Sequence, residues 1–175
     1  MTHLWDAADI LYVQNIYDDR DRVVEQLDAA GVRAYLSYDP LNNTTTYTDN
    51  LGNVETYHYD SLNRVTQVDD ANGGSDLYVY DDNYNLLAYT DANDNTTTFA
   101  YDSRGNLIER RDPVDASSSI YYTEDVSTWT YDARNLVTSY TNALGNTWHY
   151  TYDANGNLTK LTDANGATQG FERDR

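Results

Sequence analysis

Acidic and amide side chains alternate at two places in the chain in a way that could bind calcium. These residues are Asp91, Asn93 and Asn95 in one segment and Asp153, Asn155 and Asn157 in the other. Oxygen ligands at alternate positions are typical of the start of a Ca²⁺-binding loop, and Asp102 lies where such a loop places its bidentate acid. Thr96 nevertheless stands where that loop requires glycine, and no flanking helix is predicted. Because Asp, Asn and Gly dominate tight turns, we favour repeated Asx-type turns and keep calcium as the weaker hypothesis.

The other side chains that could take part in chemistry form no catalytic or metal-binding pattern. Adjacent carboxylates such as Asp69–Asp70 and Glu124–Asp125 are expected by chance in a chain with 29 acidic residues. Ser117–Ser119 lacks a partner histidine and a Gly-x-Ser-x-Gly context. No metal-ligand spacing connects the three histidines, which are His3, His58 and His149. We therefore predict no catalytic residue and no cofactor.

The composition of the chain narrows its partners and its cellular location. The 175 residues carry a formal net charge of −18, which disfavours nucleic acids and anionic membranes because both require Lys and Arg. No apolar run is long enough to span a membrane. The chain has no cysteine and no signal peptide at its N-terminus. Export therefore requires another route, or this chain is part of a longer one.

The pair Tyr-Asp recurs along the chain at a nearly constant interval. Successive tyrosines are 21 residues apart, except for one interval of 30 that contains an insertion at about 112–124. A fixed period of this size is the signature of a repeat architecture. The seven pairs are Tyr17–Asp18, Tyr38–Asp39, Tyr59–Asp60, Tyr80–Asp81, Tyr101–Asp102, Tyr131–Asp132 and Tyr152–Asp153.

Each repeat contains two turn signals separated by short strand-like segments. One turn signal follows Tyr-Asp, and the other lies eleven to fourteen residues after the tyrosine, as in Asp163-Ala-Asn-Gly166. The segments between the turns are rich in Val, Leu, Thr and Tyr with a period of two, which predicts β-strands. Only residues 20–30 could compete as a helix, and their register matches the other repeats. The positions six and nine residues after the tyrosine are both often apolar, as at Leu158 and Leu161, which breaks strict alternation. A β-bulge would restore their facing.

The sequence therefore predicts an all-β fold in which 21-residue antiparallel hairpins form one array over residues 1–175. Seven repeats correspond to about fourteen strands, and a sheet of that size tends to twist and curl. We expect the aromatic residues at the tyrosine position and two residues before it to line the concave face. An eighth repeat begins at Arg173–Asp174 and is truncated by residue 175.

These residues resemble the YD repeats of the RHS family. The form Tyr-Asp-x-x-Gly-Asn-Leu stands intact at Tyr101–Leu107 and Tyr152–Leu158, and the resemblance extends from about Tyr12 to Asp174. Members of this family include shell components of bacterial toxin complexes, polymorphic RHS toxins and teneurins. The resemblance implies hairpins wound into a hollow shell that encapsulates or scaffolds without performing chemistry. RHS toxins carry a self-cleaving segment and a toxin domain after the repeats, and nothing in this chain resembles either. Asp112–Pro113 is an isolated dipeptide without the rest of the self-cleavage motif.

Three functional hypotheses follow from the sequence. The first is a non-enzymatic structural segment of an extracellular or cell-surface shell, with further YD repeats of the same chain or other copies as partners. The second is a filament subunit that assembles head-to-tail through exposed strand edges. The third is an adhesin-like module that binds calcium through the turns or glycans on the aromatic face, near Trp129 and Trp148.

Overall fold

The computed structural model describes residues 2–5, 11–113 and 125–172, and every regular element in these residues is a β-strand. No helix that could span a membrane occurs among them. Two compact units divide the chain. The first consists of Met1–Tyr78 with Asp91–Asn93, and the second consists of Val79–Thr90 with Asp94–Arg175.

In the first unit each strand pairs antiparallel with its neighbour in the chain. Val, Thr and Tyr dominate these strands, because branched and aromatic side chains pack well on a pleated surface. The strands are β1 (Thr2–Trp5), β2 (Leu11–Tyr17), β3 (Val23–Asp28), β4 (Arg33–Asp39), β5 (Thr44–Thr48), β6 (Val54–Tyr59), β7 (Val65–Asp69) and β8 (Ser75–Tyr80), whose last residues belong to the second unit.

The second unit repeats the same antiparallel pairing in chain order. The connection between its third and fourth strands contains the insertion, of which residues 114–124 lie outside the described ranges. The strands are β9 (Leu86–Thr90), β10 (Thr96–Tyr101), β11 (Leu107–Asp112), β12 (Asp125–Tyr131), β13 (Val137–Thr141), β14 (Thr147–Tyr152), β15 (Leu158–Thr162) and β16 (Thr168–Gly170).

The all-β prediction of chained antiparallel hairpins is confirmed. Fourteen strands flank the seven Tyr-Asp pairs as expected, and β1 and β16 bring the described total to sixteen. The segment that could have competed as a helix is the strand β3, because Val23 and Val24 favour extended backbone. The truncated eighth repeat at Arg173–Asp174 lies outside the described residues.

A β-bulge resolves the broken alternation of apolar residues. In the β14–β15 hairpin, Tyr152 pairs with Leu158, and the register shifts so that Tyr150 pairs with Leu161. One extra residue on the second strand therefore places both leucines on the same face as the two tyrosines. The same shift occurs at the hairpins of Tyr17, Tyr59, Tyr101 and Tyr131.

The hairpin at Tyr38–Asp39 is an exception to this bulge. Its register is regular, with Tyr38 opposite Thr45 and Asp39 opposite Thr44. Pro40 follows the aspartate and cannot donate a backbone hydrogen bond, so β4 continues through Asp39 and a longer loop replaces the tight turn.

Each unit is a single layer of sheet. Among the described strands, contacts occur only between neighbours in the chain. None of the described side chains is fully buried, and the apolar side chains of the strands are mostly half-buried. Domains normally bury such faces between two layers. The structure therefore leaves the apolar side of the repeats partly uncovered.

Candidate functional site

The turns that follow six of the seven Tyr-Asp pairs share one backbone geometry. In the example at Asp102, the Gly105 N–H donates to the Asp102 carbonyl at 3.0 Å and the Asp102 N–H donates to the Asn106 carbonyl at 2.9 Å. Gly105 has a φ of 83°, which makes this a three-residue hairpin loop with a G1-type bulge. We call these loops the Tyr-Asp turns; the others with both bonds begin at Asp18, Asp60, Asp81, Asp132 and Asp153.

Both carboxylate oxygens of the aspartate are used inside its Tyr-Asp turn. The Oδ1 atom of Asp102 accepts the backbone N–H groups of Arg104 at 2.9 Å and Asn106 at 3.0 Å. Its Oδ2 atom accepts the Asn106 side-chain amide at 2.9 Å. An arginine or asparagine side chain reaches Oδ2 in every one of the six turns, so the aspartate acts as a clamp on the loop.

These hydrogen bonds hold the carboxylates in their charged form. The Asn106 side chain, followed by its backbone N–H, lowers the pKa of Asp102 well below the usual value. At Asp60 the backbone N–H of Arg64 is the main cause of the lowered pKa. The pKa is lowered in the same direction at Asp18, Asp39, Asp132 and Asp153.

The second turns of the repeats share the backbone, but several of them lack the full clamp. The turn at Asp49 has it, because the Asn53 side-chain amide donates to Asp49 Oδ2 at 2.7 Å. In the turn at Asp163, Oδ1 accepts the N–H groups of Asn165 and Ala167 at 2.9 and 2.8 Å. Ala167 has no side-chain donor for Oδ2, and neither do Val32 and Gly74 at the same position of other repeats. We call these loops the second turns; those with both backbone bonds begin at Asp28, Asp49, Asp70, Asn142 and Asp163.

The residues weighed as calcium ligands lie in these turns. Asp153 accepts from the Asn155 N–H and from both the N–H and side-chain amide of Asn157, all at 2.9 Å. The Asn93 N–H donates to Asp91 Oδ1 at 2.9 Å, and Asn95 directly precedes β10. Within the described ranges no three His, Cys, Asp or Glu side chains converge as a metal site. These bonds fit the turn hypothesis, and calcium binding stays a prediction.

In five of the six Tyr-Asp turns the clamping residue lies five positions after the tyrosine, and this position was assigned no role as a clamp from the sequence. Arg22, Arg64, Asn85, Asn106 and Asn157 occupy this position, and each donates a side-chain hydrogen bond to its aspartate. The signal was the recurrence of arginine or asparagine at one offset. Only the folded turn shows that this offset brings the side chain back to Oδ2.

The repeat tyrosines join one repeat to the one before it. The Tyr131 hydroxyl donates to the Leu107 carbonyl at 2.8 Å, and the Tyr38 hydroxyl donates to the Val23 carbonyl at 2.7 Å. In both cases the acceptor is the first residue of the strand after the preceding Tyr-Asp turn. Burial raises the pKa of both hydroxyls, which keeps them protonated donors. The tyrosine therefore stabilises the stacking of hairpins.

The adjacent acids Asp69 and Asp70 have separate structural roles. Asp69 accepts hydrogen bonds from the side chains of Ser75, Gln67 and His58, which lower the pKa of Asp69 to about 2. Asp70 begins a second turn. Ser75 donates to the acid rather than to the histidine, so the three side chains lack the bond that activates a serine nucleophile.

The aromatic residues proposed for glycan binding form a stack across three strands. Tyr140 lies between Trp129 and Trp148, with ring centroids 5.2 and 5.6 Å apart and interplanar angles of 30° and 22°. Tyr150 and Tyr152 line a neighbouring open cleft of about 420 Å³ together with two members of the stack. Because the rings cover one another's faces, the arrangement favours packing over a flat sugar platform. Glycan binding stays a prediction.

A family model described as RHS Repeat matches four stretches of the chain, which together cover more than half of it. The matched residues are 17–54, 38–75, 80–116 and 126–168. Curated proteins give no significant match.

Solved structures of similar fold are parts of toxin assemblies. The Photorhabdus luminescens Tc holotoxin pore with a mutated TccC3 matches 88% of this chain with 22% identity and a TM-score of 0.68. The crystal structure of TcdB2-TccC3-Cdc42 matches 93% of this chain with 21% identity and a TM-score of 0.71. The chain spans 9% and 10% of the lengths of those chains. At this identity the likeness establishes the fold.

Proposed function

The chain belongs to the RHS repeat family, and on that premise we propose that it is a non-enzymatic structural segment of a toxin-related shell or scaffold outside the cell. The observation that carries the proposal is the single-layer sheet. Its described side chains leave no buried core, while every tight turn is fixed by its own hydrogen bonds. Such a sheet suits a wall better than a self-contained catalytic domain.

The partners that fit this wall are further repeats of the same kind. The strands in the described part of the chain contact only their chain neighbours, so the same hairpin can be added without changing any of these contacts. The similar structures are Tc toxin assemblies in which this chain corresponds to about a tenth of a much longer polypeptide. This relation supports a role as one stretch of a larger shell, built from the same chain or from other copies.

A non-catalytic role is supported by how the charged side chains are used. The aspartates of the Tyr-Asp turns accept hydrogen bonds from their own loops. These bonds lower the pKa of Asp60, Asp102 and Asp153. A general acid at neutral pH requires the opposite shift. The net charge of −18 also favours solubility in an open medium and is consistent with an extracellular location.

Electron microscopy of the purified chain tests the proposal. We expect discrete assemblies in which the wall curves around an interior, with circular dichroism of β-sheet and no change in Tm on adding chelator. Unbranched fibres would contradict the shell and support the filament hypothesis instead. Compact solid particles would contradict both hypotheses, because a single-layer sheet does not fill its interior.

A further inference from the structure

Arginine side chains connect neighbouring Tyr-Asp turns in the second unit. Arg104 lies in the turn of Asp102, and its Nη1 atom donates to the Asp132 carbonyl of the following turn at 2.8 Å. Arg134 lies in the turn of Asp132, and its Nη1 atom donates to the Asp153 carbonyl at 2.8 Å. The two arginines occupy the same position of their repeats, three residues after the tyrosine.

Each of these guanidinium groups is held by two turns at once. Arg104 forms an ion pair with its own Asp102 at 3.1 Å while it donates to the next turn. Arg134 pairs with its own Asp132 at 3.0 Å and also lies 3.2 Å from the Ala154 carbonyl. The planar, multiply donating guanidinium is well suited to bridge a carboxylate and a carbonyl. In two successive repeats, a guanidinium thus binds the carboxylate of its own turn and a carbonyl of the next turn.

The equivalent position of the preceding repeat holds an asparagine. Asn83 is three residues after Tyr80, and an asparagine side chain is several bonds shorter than an arginine side chain. An open cleft of about 680 Å³ lies between these two turns. Its lining includes Asp81, Asn83, Asn85, Phe99, Asp102 and Ser103. The cleft therefore presents the Asp102 and Ser103 carbonyls, whose equivalents in the next two repeats receive an arginine, and position 83 holds no arginine that could reach them.

We propose that this cleft binds an arginine side chain presented by a partner polypeptide. The incoming guanidinium takes the place that Arg104 and Arg134 take in the next two repeats. It donates to the Asp102 and Ser103 carbonyls, as Arg134 donates to the Asp153 and Ala154 carbonyls. The net charge of −18 favours the approach of a basic segment. This binding goes beyond a purely structural role of the repeats.

Arg104 already lies at the cleft, and its charge does not exclude a second guanidinium. Arg104 lines the cleft, but its guanidinium pairs with Asp102 and points its Nη1 to the next turn. At that next turn, Arg104 and Arg134 are present together around Asp132. A second guanidinium beside the first is therefore an arrangement that this fold already accommodates.

The substitution Asn83→Arg tests the geometry, because it supplies the missing side chain from within. We expect Asn83→Arg to raise the Tm by about 3 °C relative to Asn165→Arg, which adds the same charge to an exposed second turn. Equal Tm values for the two variants would show that the cleft does not accept a guanidinium and would overturn the proposal.

A titration with N-acetylarginine amide, followed by amide NMR of the labelled chain, tests the ligand. We expect saturable shifts centred on Asn83, Ser103 and Gly105, no such shifts with N-acetyllysine amide, and their loss in Asn83→Arg but not in Asn165→Arg. Equal shifts with the lysine compound, shifts that persist in Asn83→Arg, or an absence of saturable shifts would each overturn the proposal.

Discussion

The Tyr-Asp turns and the second turns use one backbone design with different degrees of fixation. In both, the acid or amide at the first position accepts two backbone N–H groups, and a residue with positive φ closes the loop. The Tyr-Asp turns add a register shift in the flanking strands and a side-chain donor to Oδ2, which the second turn at Asp49 also has. Tyr131, which precedes one of these turns, adds a hydroxyl bond to the preceding repeat, as does Tyr38.

Side-chain bonds between neighbouring hairpins lie on the edge of the sheet that carries the Tyr-Asp turns. In the second turn at Asp163 the described bonds stay within the loop. Near the Tyr-Asp turns, tyrosine hydroxyls bond to the preceding repeat, and Arg104 and Arg134 bond to the next one. In a single-layer sheet such lateral bonds replace part of the missing core. Variants at matched positions of the two turn types test this distinction.

The largest difference is expected for the residue directly before each turn. Tyr131→Ala should lower the free energy of unfolding by about 2 kcal/mol, because it removes a half-buried ring and the hydroxyl bond to Leu107. Thr141→Ala, at the matched position of a second turn, should cost less than about 1 kcal/mol. Urea unfolding measures both. Tyr131→Phe is the control, since it loses only the hydroxyl bond, and a loss at Thr141 as large as that at Tyr131 would contradict the comparison.

The shared backbone predicts equal costs for glycine replacement in the two turn types. Gly105→Ala and Gly166→Ala each place a side chain at a φ near +84°, so each should cost about 1–2 kcal/mol. Gly170→Ala is the control, because Gly170 has no positive φ and open space around its Cα. The same urea experiment applies, and a clear inequality between the two turn glycines would show that their backbones differ in strain.

The extra clamp on Oδ2 predicts an unequal response to neutralising the acid. Asp102→Asn should lower the Tm by several degrees, because its NH₂ group replaces one of the two carboxylate oxygens. That group, itself a donor, then faces either the Asn106 backbone N–H or the side-chain donors of Arg104 and Asn106. Asp163→Asn should change the Tm little, since Asn142 already serves in a second turn. Differential scanning calorimetry measures both variants. A comparable fall in the two would remove the distinction between the clamps.

The lowered pKa values predict a smaller effect that depends on pH. A carboxyl whose folded pKa is depressed contributes stability above the unfolded value of about 3.9 and loses it as the pH falls through the folded pKa. The Tm should therefore fall between about pH 4 and pH 2, and less steeply in Asp102→Asn than in the parent. NMR of the Asp69 carboxyl should give a midpoint of about 2. A Tm that is independent of pH over this range would contradict the clamps.

Calcium is expected to have the smallest effect of all. The turn of Asp153 satisfies its carboxylate with three donors from its own loop, so adding calcium should leave the Tm unchanged relative to chelator. A rise in Tm with calcium would revive the metal hypothesis for the Asp-x-Asn segments. Asp153→Ala would then identify which turn is responsible.

Much of the fold could be predicted because the repeat is local. The 21-residue period, the turn residues and the strand pattern lie within one hairpin, and the bulge was anticipated from Leu158 and Leu161. The regular register at Tyr38–Asp39 was not anticipated, although Pro40 explains it. The clamp by Asn106 and the bridges from Arg104 and Arg134 were also missed. These contacts depend on where a turn returns a side chain and on which turns become neighbours across the sheet.

The sequence by itself determined the all-β class, the hairpin period and the two turns of each repeat, because these follow from backbone preferences over a few residues. The tertiary structure alone decided how the repeats hold one another. The Tyr131 bond to Leu107, the stack of Trp129, Tyr140 and Trp148, and the cleft beside Asn83 join residues that are distant along the chain. Strand pairing sets the distances between these residues. Equivalent positions of different repeats therefore have different neighbours.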